Sequence, residues 1–301
     1  MRMEAMNILV IGSNGFIGSH VSMFLKSKGY RVVEADIIST KAHTFILQPD
    51  LSDLAQLFTS QQFDFCINAS GSSTVSYSIT HEAEDLVLNY DNVAAILSCI
   101  KNYQSSCGLI NLSSAAVYGN PTILPVRETD NTQPISPYGK HKLMSEQLLH
   151  RYYVEYGIPT LSLRIFSVYG NGLKKQLFWD IYCKTRSSKV ITLYGTGAET
   201  RDFIHIEDLM QVFDKVLNKA IFNGDAINVA SGKSYSINEA AISLLSYLGD
   251  DFKIAFNGVQ QASDPLYWLA DISRLSQLGF CPNIALESGL QQYALWLKEL
   301  N

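Results

Sequence analysis

Long apolar runs, clustered charge and patterned cysteines are all missing from the 301 residues. No stretch approaches the roughly 20 apolar residues that a membrane-spanning helix needs. The N-terminal run in MRMEAMNILVIGSNG is broken at Gly12, too early for the apolar core of a signal peptide. Charged residues make up only 17% of the chain, the formal net charge is -5, and the basic residues are scattered. That distribution offers no footprint for nucleic acid and no patch for a membrane surface. The five cysteines (Cys66, Cys99, Cys107, Cys183, Cys281) form no C-x-x-C pair and no zinc spacing. They read as reduced core thiols of a cytoplasmic protein, and no metal site is expected. Low-complexity tracts, solenoid-period repeats and a G-x-S-x-G elbow are also lacking.

What is present is a rhythm of short apolar runs and amphipathic stretches. Runs at Asn7–Ile11, Tyr30–Ala35, Phe63–Asn68, Gly108–Leu112 and Pro159–Arg164 alternate with helical patterns to about Lys28, near 81–102 and near 137–156. Short buried strands alternating with helices predict an α/β fold, a Rossmann-type doubly wound parallel sheet covered on both faces. After about residue 170 the rhythm loosens. Helical stretches at 173–187, 237–248 and 286–299 and a short strand at 190–194 follow without a clean βαβ order. The expected division is a doubly wound domain over 1–170, to which some later segments return, and a smaller mixed α/β domain over 171–301.

The first strand runs into Gly12-Ser13-Asn14-Gly15-Phe16-Ile17-Gly18 and then a helix. Glycines at these places let the backbone turn tightly and approach a diphosphate, which the N–H groups and dipole of the helix N-terminus would hold. Asp36 ends the next strand 18 residues past Gly18. A carboxylate there accepts both ribose hydroxyls of an adenosine and repels a 2′-phosphate; it also suits an ordinary strand-end turn. No arginine follows it, and Lys41 is the nearest cation, so NAD is expected rather than NADP. Asp50, before Leu51, is a second carboxylate after an apolar run, within plausible reach of an adenine amino group.

Ser136-Pro137-Tyr138-Gly139-Lys140-His141-Lys142 has the form of a capped helix start, with proline in the first turn. Tyr138 and Lys142 then stand on one face as i and i+4. A neighbouring ammonium favours the phenolate, which predicts a tyrosine pKa lowered toward working pH. Ser114, in Asn111-Leu112-Ser113-Ser114-Ala115-Ala116-Val117-Tyr118-Gly119, supplies a hydroxyl at a strand end about 24 residues earlier. The three together suit removal of a sugar hydroxyl proton while hydride leaves the same carbon for nicotinamide.

On these residues the chain resembles the extended short-chain dehydrogenases/reductases of the NAD-dependent nucleotide-sugar epimerase/dehydratase family. The matching pieces are GSNGFIG, Asp36, Asp50-Leu51, NASGSS at 68–73, Asn89, SSAAVYG, YGKHK, LRIFSVYG at 163–170, GTGAETRDFIHIEDL at 195–209 and YWLADISR at 267–274. The resemblance implies that Ser114, Tyr138 and Lys142 are catalytic. It implies that Gly12, Gly15, Phe16, Ile17, Gly18, Asp36, Asp50, Leu51, Ala69, Asn89 and Phe166 lie along NAD, joined by Tyr138 and Lys142. It places Arg201, Ser167 and Ser114 on a nucleotide-diphosphate sugar, and it implies a homodimer formed through the helix that starts near Ser136. Leu148, Leu149 and Tyr152 permit that pairing and serve an intrachain core equally well.

Departures from the family narrow the reaction. Dehydratases of the 4,6 type carry an Asp-Glu pair where Ala115 and Ala116 stand, so elimination loses its acid and base. Family members usually have asparagine at Ser167 and often a second phosphate-binding arginine near Gln261. Lys174 or Lys175 could compensate, or could form a solvated face. His141 and His205 read as lone fillers, Asp202 as a structural partner, and Tyr118 and Tyr169 as either cleft lining or packing. The leading expectation is a nucleotide-sugar 4-epimerase working through a transient 4-keto sugar. The alternatives are a 4-keto-6-deoxy nucleotide-sugar reductase using NAD(P)H and a dinucleotide-binding regulator without chemistry.

Overall fold

The computed structural model describes residues 6–38, 44–249, 251–260 and 265–300; Lys41 and Gln261 lie outside them. Twelve strands occur among the described residues: Asn7–Ile11 (β1), Arg31–Asp36 (β2), Thr44–Ile46 (β3), Phe65–Asn68 (β4), Gly108–Ser114 (β5), Thr160–Ile165 (β6), Ser167–Tyr169 (β7), Val190–Leu193 (β8), Thr200–His205 (β9), Ala226–Val229 (β10), Ser234–Ser236 (β11) and Lys253–Phe256 (β12). The chain forms two compact units that interleave in sequence. One holds the residues through Gly119 with Thr132–Ile165 and Phe213–Ile227. The other holds Asn120–Asn131, Phe166–Val212 and the residues from Asn228 on.

The first unit is built on a seven-stranded sheet in the order β10-β6-β5-β4-β1-β2-β3. β1 pairs in parallel with β2 and β4, β2 with β3, β4 with β5, and β5 with β6. Parallel strands covered by helices carry apolar residues on both faces, and Ile8, Leu9, Val10, Leu109 and Ile110 are fully buried. The doubly wound fold expected from the rhythm is present. Strand order reverses beside β1, and in such sheets ligands settle outside the carboxyl ends of the strands at that point. On one face, Leu54, Phe58, Ile96, Ile100, Leu148 and Leu149 pack into a single core with the strands. Each buried leucine of this kind stabilises the fold by about 1.5–3 kcal/mol. Leu148, Leu149 and the partly buried Tyr152 are therefore intrachain core.

Two helices matter most for the site. Helix Pro137–Tyr156 begins as its sequence predicts: the Ser136 hydroxyl accepts the Gly139 N–H at 3.1 Å, and proline occupies the first turn. It ends at Gly157, whose φ of 67° is the left-handed conformation that glycine adopts most readily. The pattern over 81–102, which reads as one helix, is instead three pieces: Glu82–Leu86, a π-helical turn Val87–Asp91, and Asn92–Tyr103. The Ser145 hydroxyl donates to the Asn89 carbonyl within this turn. Such turns re-aim side chains at functional sites.

The second unit contains a three-stranded mixed sheet, β11-β9-β7, with β7 parallel and β11 antiparallel to β9, and a separate parallel pair of β8 and β12. Its core gathers Tyr169, Phe178, Ile181, Phe203, Leu244 and Leu290. No helix among the described residues is long and apolar enough to cross a membrane.

Candidate active site

The glycine loop is closed by backbone packing that no side chain could share. Gly12 has φ 80°, and a Cβ there would lie 2.6 Å from the Ser70 nitrogen. A Cβ at Gly18 would run into the Gly12 carbonyl oxygen. Gly15 is exposed and caps helix Phe16–Ser27 in extended conformation, with Phe16 and Ile17 opening that helix. Asp36, at the end of β2, accepts the Asn14 N–H on Oδ2 at 2.8 Å and the Ile38 N–H on Oδ1 at 3.2 Å. Its carboxylate is thereby aimed beside the loop. Ala69 continues β4, its N–H donating to Ile11 O at 2.8 Å, so the two strand ends border one cradle. Asp50 is exposed, and bonds from Ser52 hold its carboxyl below the ordinary value; Leu51 turns inward at φ 54°.

Asn89 sits in the π-helical turn and is 1% exposed. Its amide nitrogen donates to Asp85 Oδ1 at 3.0 Å, while its Oδ1 is buried and has no hydrogen-bond partner. That oxygen faces Gly71, where an added Cβ would come within 2.6 Å of it. A buried carbonyl without a donor is costly unless a ligand supplies one. The cradle, the carboxylate aimed at its edge and this unpaired oxygen all fit a dinucleotide with ribose hydroxyls to donate.

Ser114, Tyr138 and Lys142 are brought together in the first unit. The Ser114 hydroxyl accepts the Ala116 N–H at 3.2 Å and lies near enough to the Tyr138 phenol to favour its ionised form. Lys142 Nζ stands 5.8 Å from the centre of the tyrosine ring and donates to Leu112 O, on β5, at 2.8 Å. Close approach of the helix to the turn Ala115–Tyr118 requires glycine at 139, where a Cβ would meet Ala116 O at 2.6 Å. Ala115 and Ala116 are buried, so neither position next to Ser114 carries an acid.

The electrostatics correct one expectation. Burial lifts the Tyr138 phenol from 10.0 to about 12; the Ser114 hydroxyl opposes this and the Asp85 charge adds to it. Burial also lowers Lys142 from 10.5 to about 8, against the pull of Asp85 and Glu146. In this chain's own field desolvation outweighs the opposing Ser114 hydroxyl, so the phenol is held protonated rather than acidified.

Residues that the sequence left unassigned surround the trio. His141 is not a lone filler: its Nδ1 is 2.7 Å from Asp85 Oδ2, with both side chains buried. Glu146, one turn beyond Lys142, accepts from Arg164 Nη2 at 2.7 Å and from Ser113 Oγ. Arg164 Nη1 donates to the Tyr118 hydroxyl at 2.7 Å, so Tyr118, 1% exposed, is packing rather than cleft lining. The i+4 spacing of Lys142 and Glu146, and of Asp85 and Asn89, was the available signal.

In the second unit, Ser167 lies partly buried on β7 and Phe166 packs edge-on against Trp268 at 5.8 Å. Arg201 is partly buried, donates from Nη1 to Thr200 O at 2.9 Å, and lies over the Trp268 ring at 5.5 Å. Asp202 is structural: its buried carboxylate accepts N–H groups from Ser231, Gly232 and Ala270 and the Ser231 hydroxyl. Burial still raises it to about 6. Tyr169 is aromatic packing against Phe178, Phe203 and His205. Lys174 and Lys175 are exposed just before helix Gln176–Thr185. Among the described residues no cluster could hold a metal ion.

Comparison with known proteins finds one family over most of the chain. A profile of the NAD dependent epimerase/dehydratase family matches residues 8–230. A putative UDP-glucose 4-epimerase of Methanocaldococcus jannaschii is 28% identical over 98% of this chain and 99% of its own. The UDP-glucose 4-epimerase of Lacticaseibacillus casei is 27% identical over 92% of each chain. The crystal structure of UDP-glucuronic acid 4-epimerase from Bacillus cereus, in complex with UDP-glucuronic acid and NAD, superposes with a TM-score of 0.89 at 28% identity, covering 98% of this chain and all of that one.

Proposed function

We propose that this chain, which belongs to the NAD dependent epimerase/dehydratase family, is a nucleotide-sugar 4-epimerase. The observation that carries the reading is the buried Ser114–Tyr138–Lys142 arrangement beside two alanines. It can move one proton and has no acid with which to expel a hydroxyl. NAD, when bound, supplies the hydride acceptor and a positive ring charge that opposes the desolvation of a phenolate. Tyr138 takes the proton from the sugar's 4-hydroxyl and gives it back. Ser114 donates a hydrogen bond to the same sugar oxygen and lowers its charge in the transition state. Lys142, anchored on Leu112 O, holds a cation near the phenol and reaches toward ribose hydroxyls. The 4-keto sugar turns over before hydride returns, and no net oxidant is consumed.

In this reading Gly12, Gly15, Phe16, Ile17, Gly18, Asp36, Asp50, Leu51, Ala69, Asn89 and Phe166 line the dinucleotide. Ser167 and Arg201 in the second unit hold a nucleotide-diphosphate sugar, Arg201 through charge-assisted bonds to the diphosphate. The named relatives make UDP-sugars the first to try. We place the enzyme in the cytoplasm, which its five free thiols support. A homodimer belongs to the same reading. Helix Pro137–Tyr156 leaves Met144, Tyr153, Val154 and Tyr156 exposed, and light scattering tests it.

The deciding experiment denatures purified protein and measures released cofactor, then follows UDP-, GDP-, CDP- and dTDP-sugars by NMR. About one NAD per chain and interconversion of 4-epimers are expected. Tyr138→Phe should lower kcat roughly 10²–10⁴-fold while keeping NAD bound. Protein that is empty as purified and consumes added NADH with a 4-keto sugar would overturn the reading in favour of a reductase.

A further inference from the structure

A buried acid–base pair in the first unit has no part in the proton transfer described above. Asp85 is fully buried, His141 nearly so, and Asp85 Oδ2 lies 2.7 Å from His141 Nδ1. They come from different elements, Asp85 from helix Glu82–Leu86 and His141 from helix Pro137–Tyr156. An apolar pair would fill this space at lower desolvation cost. The geometry around the pair shows what it does instead. An ionised carboxylate only accepts hydrogen bonds. With Oδ2 taken by His141, Asp85 Oδ1 receives the Asn89 amide nitrogen at 3.0 Å. The amide can then point only one way: nitrogen toward Asp85, oxygen toward the loop at Gly71. That oxygen is buried and without a partner. The Ser145 hydroxyl donates to the Asn89 carbonyl, tying the π-helical turn to the reactive helix.

We infer that Asp85 and His141 are positioning residues: together they lock the Asn89 amide so that its oxygen is the group offered to a hydroxyl donor on the cofactor. The inference rests on the reading that NAD occupies the glycine cradle. Neither residue touches the cofactor in this account; each acts through Asn89. The lock also explains why the turn is π-helical, since a regular helix would place Asn89 elsewhere on its circumference.

The test separates orientation from mere stability. Asp85→Asn keeps the shape but allows residue 85 to bond either end of the Asn89 amide. NAD retained by the purified protein should fall, and the dissociation constant for NAD should rise at least about tenfold. Asn89→Asp alone sets two carboxylates together and should do worse. The double variant D85N/N89D should recover most of the affinity. In it the amide now at position 85 donates to the carboxylate now at position 89, which offers an acceptor in either orientation. Thermal midpoints, measured alongside, report the structural cost by itself.

D85N affinity within twofold of wild type, or a double variant no better than D85N, would overturn the inference. If D85N does not fold, His141→Gln keeps a donor for Asp85 and should retain NAD, whereas His141→Met removes it and should not. Equal retention in those two variants would also overturn it. A wild-type chain that holds no NAD would overturn the functional reading itself; a wild-type chain with NAD beside a D85N chain with as much removes only the lock.

Discussion

Lys142 is expected to be a stability liability that the chemistry requires, and Lys142→Met should expose it. A lysine moved from 10.5 in the unfolded chain to about 8 when folded costs the folded state about 3 kcal/mol at pH 7, where both states carry the proton. Methionine fills similar volume without charge. It leaves Leu112 O, which accepts the ammonium at 2.8 Å, without its donor, at a cost of about 1 kcal/mol. The variant should therefore be more stable at pH 7 by about 2 kcal/mol, roughly 3 °C in thermal midpoint for a chain of this size.

The sign of the pH dependence follows from the same two values. Between about 8 and 10.5 the unfolded chain holds a proton that folded Lys142 has released. Wild-type stability therefore rises with pH across that window relative to the methionine variant. By pH 9.5 wild type has regained about 2 kcal/mol, and the two proteins should unfold together. Paired urea and thermal scans at pH 7 and 9.5, on protein freed of NAD, measure both points. Background effects of the buried Cys66 and Cys107 thiols enter both proteins and cancel in the difference, and Tyr138, raised to about 12, stays protonated at both pH values. The variant should also lose turnover. A variant less stable than wild type at pH 7, or a gap that does not change with pH, would refute the reasoning.

Two further outcomes follow from the packing. Gly18→Ala drives a Cβ into Gly12 O, so the loop must open; NAD release on denaturation should drop well below one per chain, with a stability loss of about 1–3 kcal/mol. Glu146→Leu leaves the Arg164 guanidinium buried without its carboxylate and should cost about 3–5 kcal/mol by urea unfolding, most of it recovered in E146L/R164M because the double variant buries no unpaired charge.

The parts legible in the sequence are those written in local signals. Ser136, Pro137 and Gly157 delimit the reactive helix by chemistry confined to a few residues. The glycine loop declares itself because a strand precedes it and a helix follows. Less is visible where partners are far apart. Asp85 and His141 are 56 residues apart, and Glu146 and Arg164 are 18 apart on a helix and a strand, so no spacing rule pairs them. The short run Ala226–Val229, which returns to the edge of the large sheet beside β6, follows a helix whose start lies hidden inside FIHIEDL. The acidity of Tyr138 escapes the sequence for a related reason. An i+4 cation can be read from the sequence, whereas the depth of burial that raises the phenol belongs to the assembled sheet.

The reactive helix departs from the usual logic of a buried face. The residues that helix Pro137–Tyr156 turns inward over its first three turns are Tyr138, Gly139, His141, Lys142, Ser145 and Glu146, almost all of them polar. An apolar stripe would bind this helix to the sheet more strongly, but would let it slide by small increments, since apolar contacts carry no direction. Here four of the inward side chains are claimed by a named partner: Asp85 for His141, Leu112 O for Lys142, the Asn89 carbonyl for Ser145 and Arg164 for Glu146. Directional bonds to β5, β6 and the π-helical turn fix the rotation and height of the helix together. The phenol is thereby held at the end of β5 by the surrounding frame rather than by its own contacts. Outside the Glu146–Arg164 pair, breaking any one claim should shift Tyr138 before it unfolds the chain, and turnover should fall earlier than thermal stability as these partners are removed one at a time.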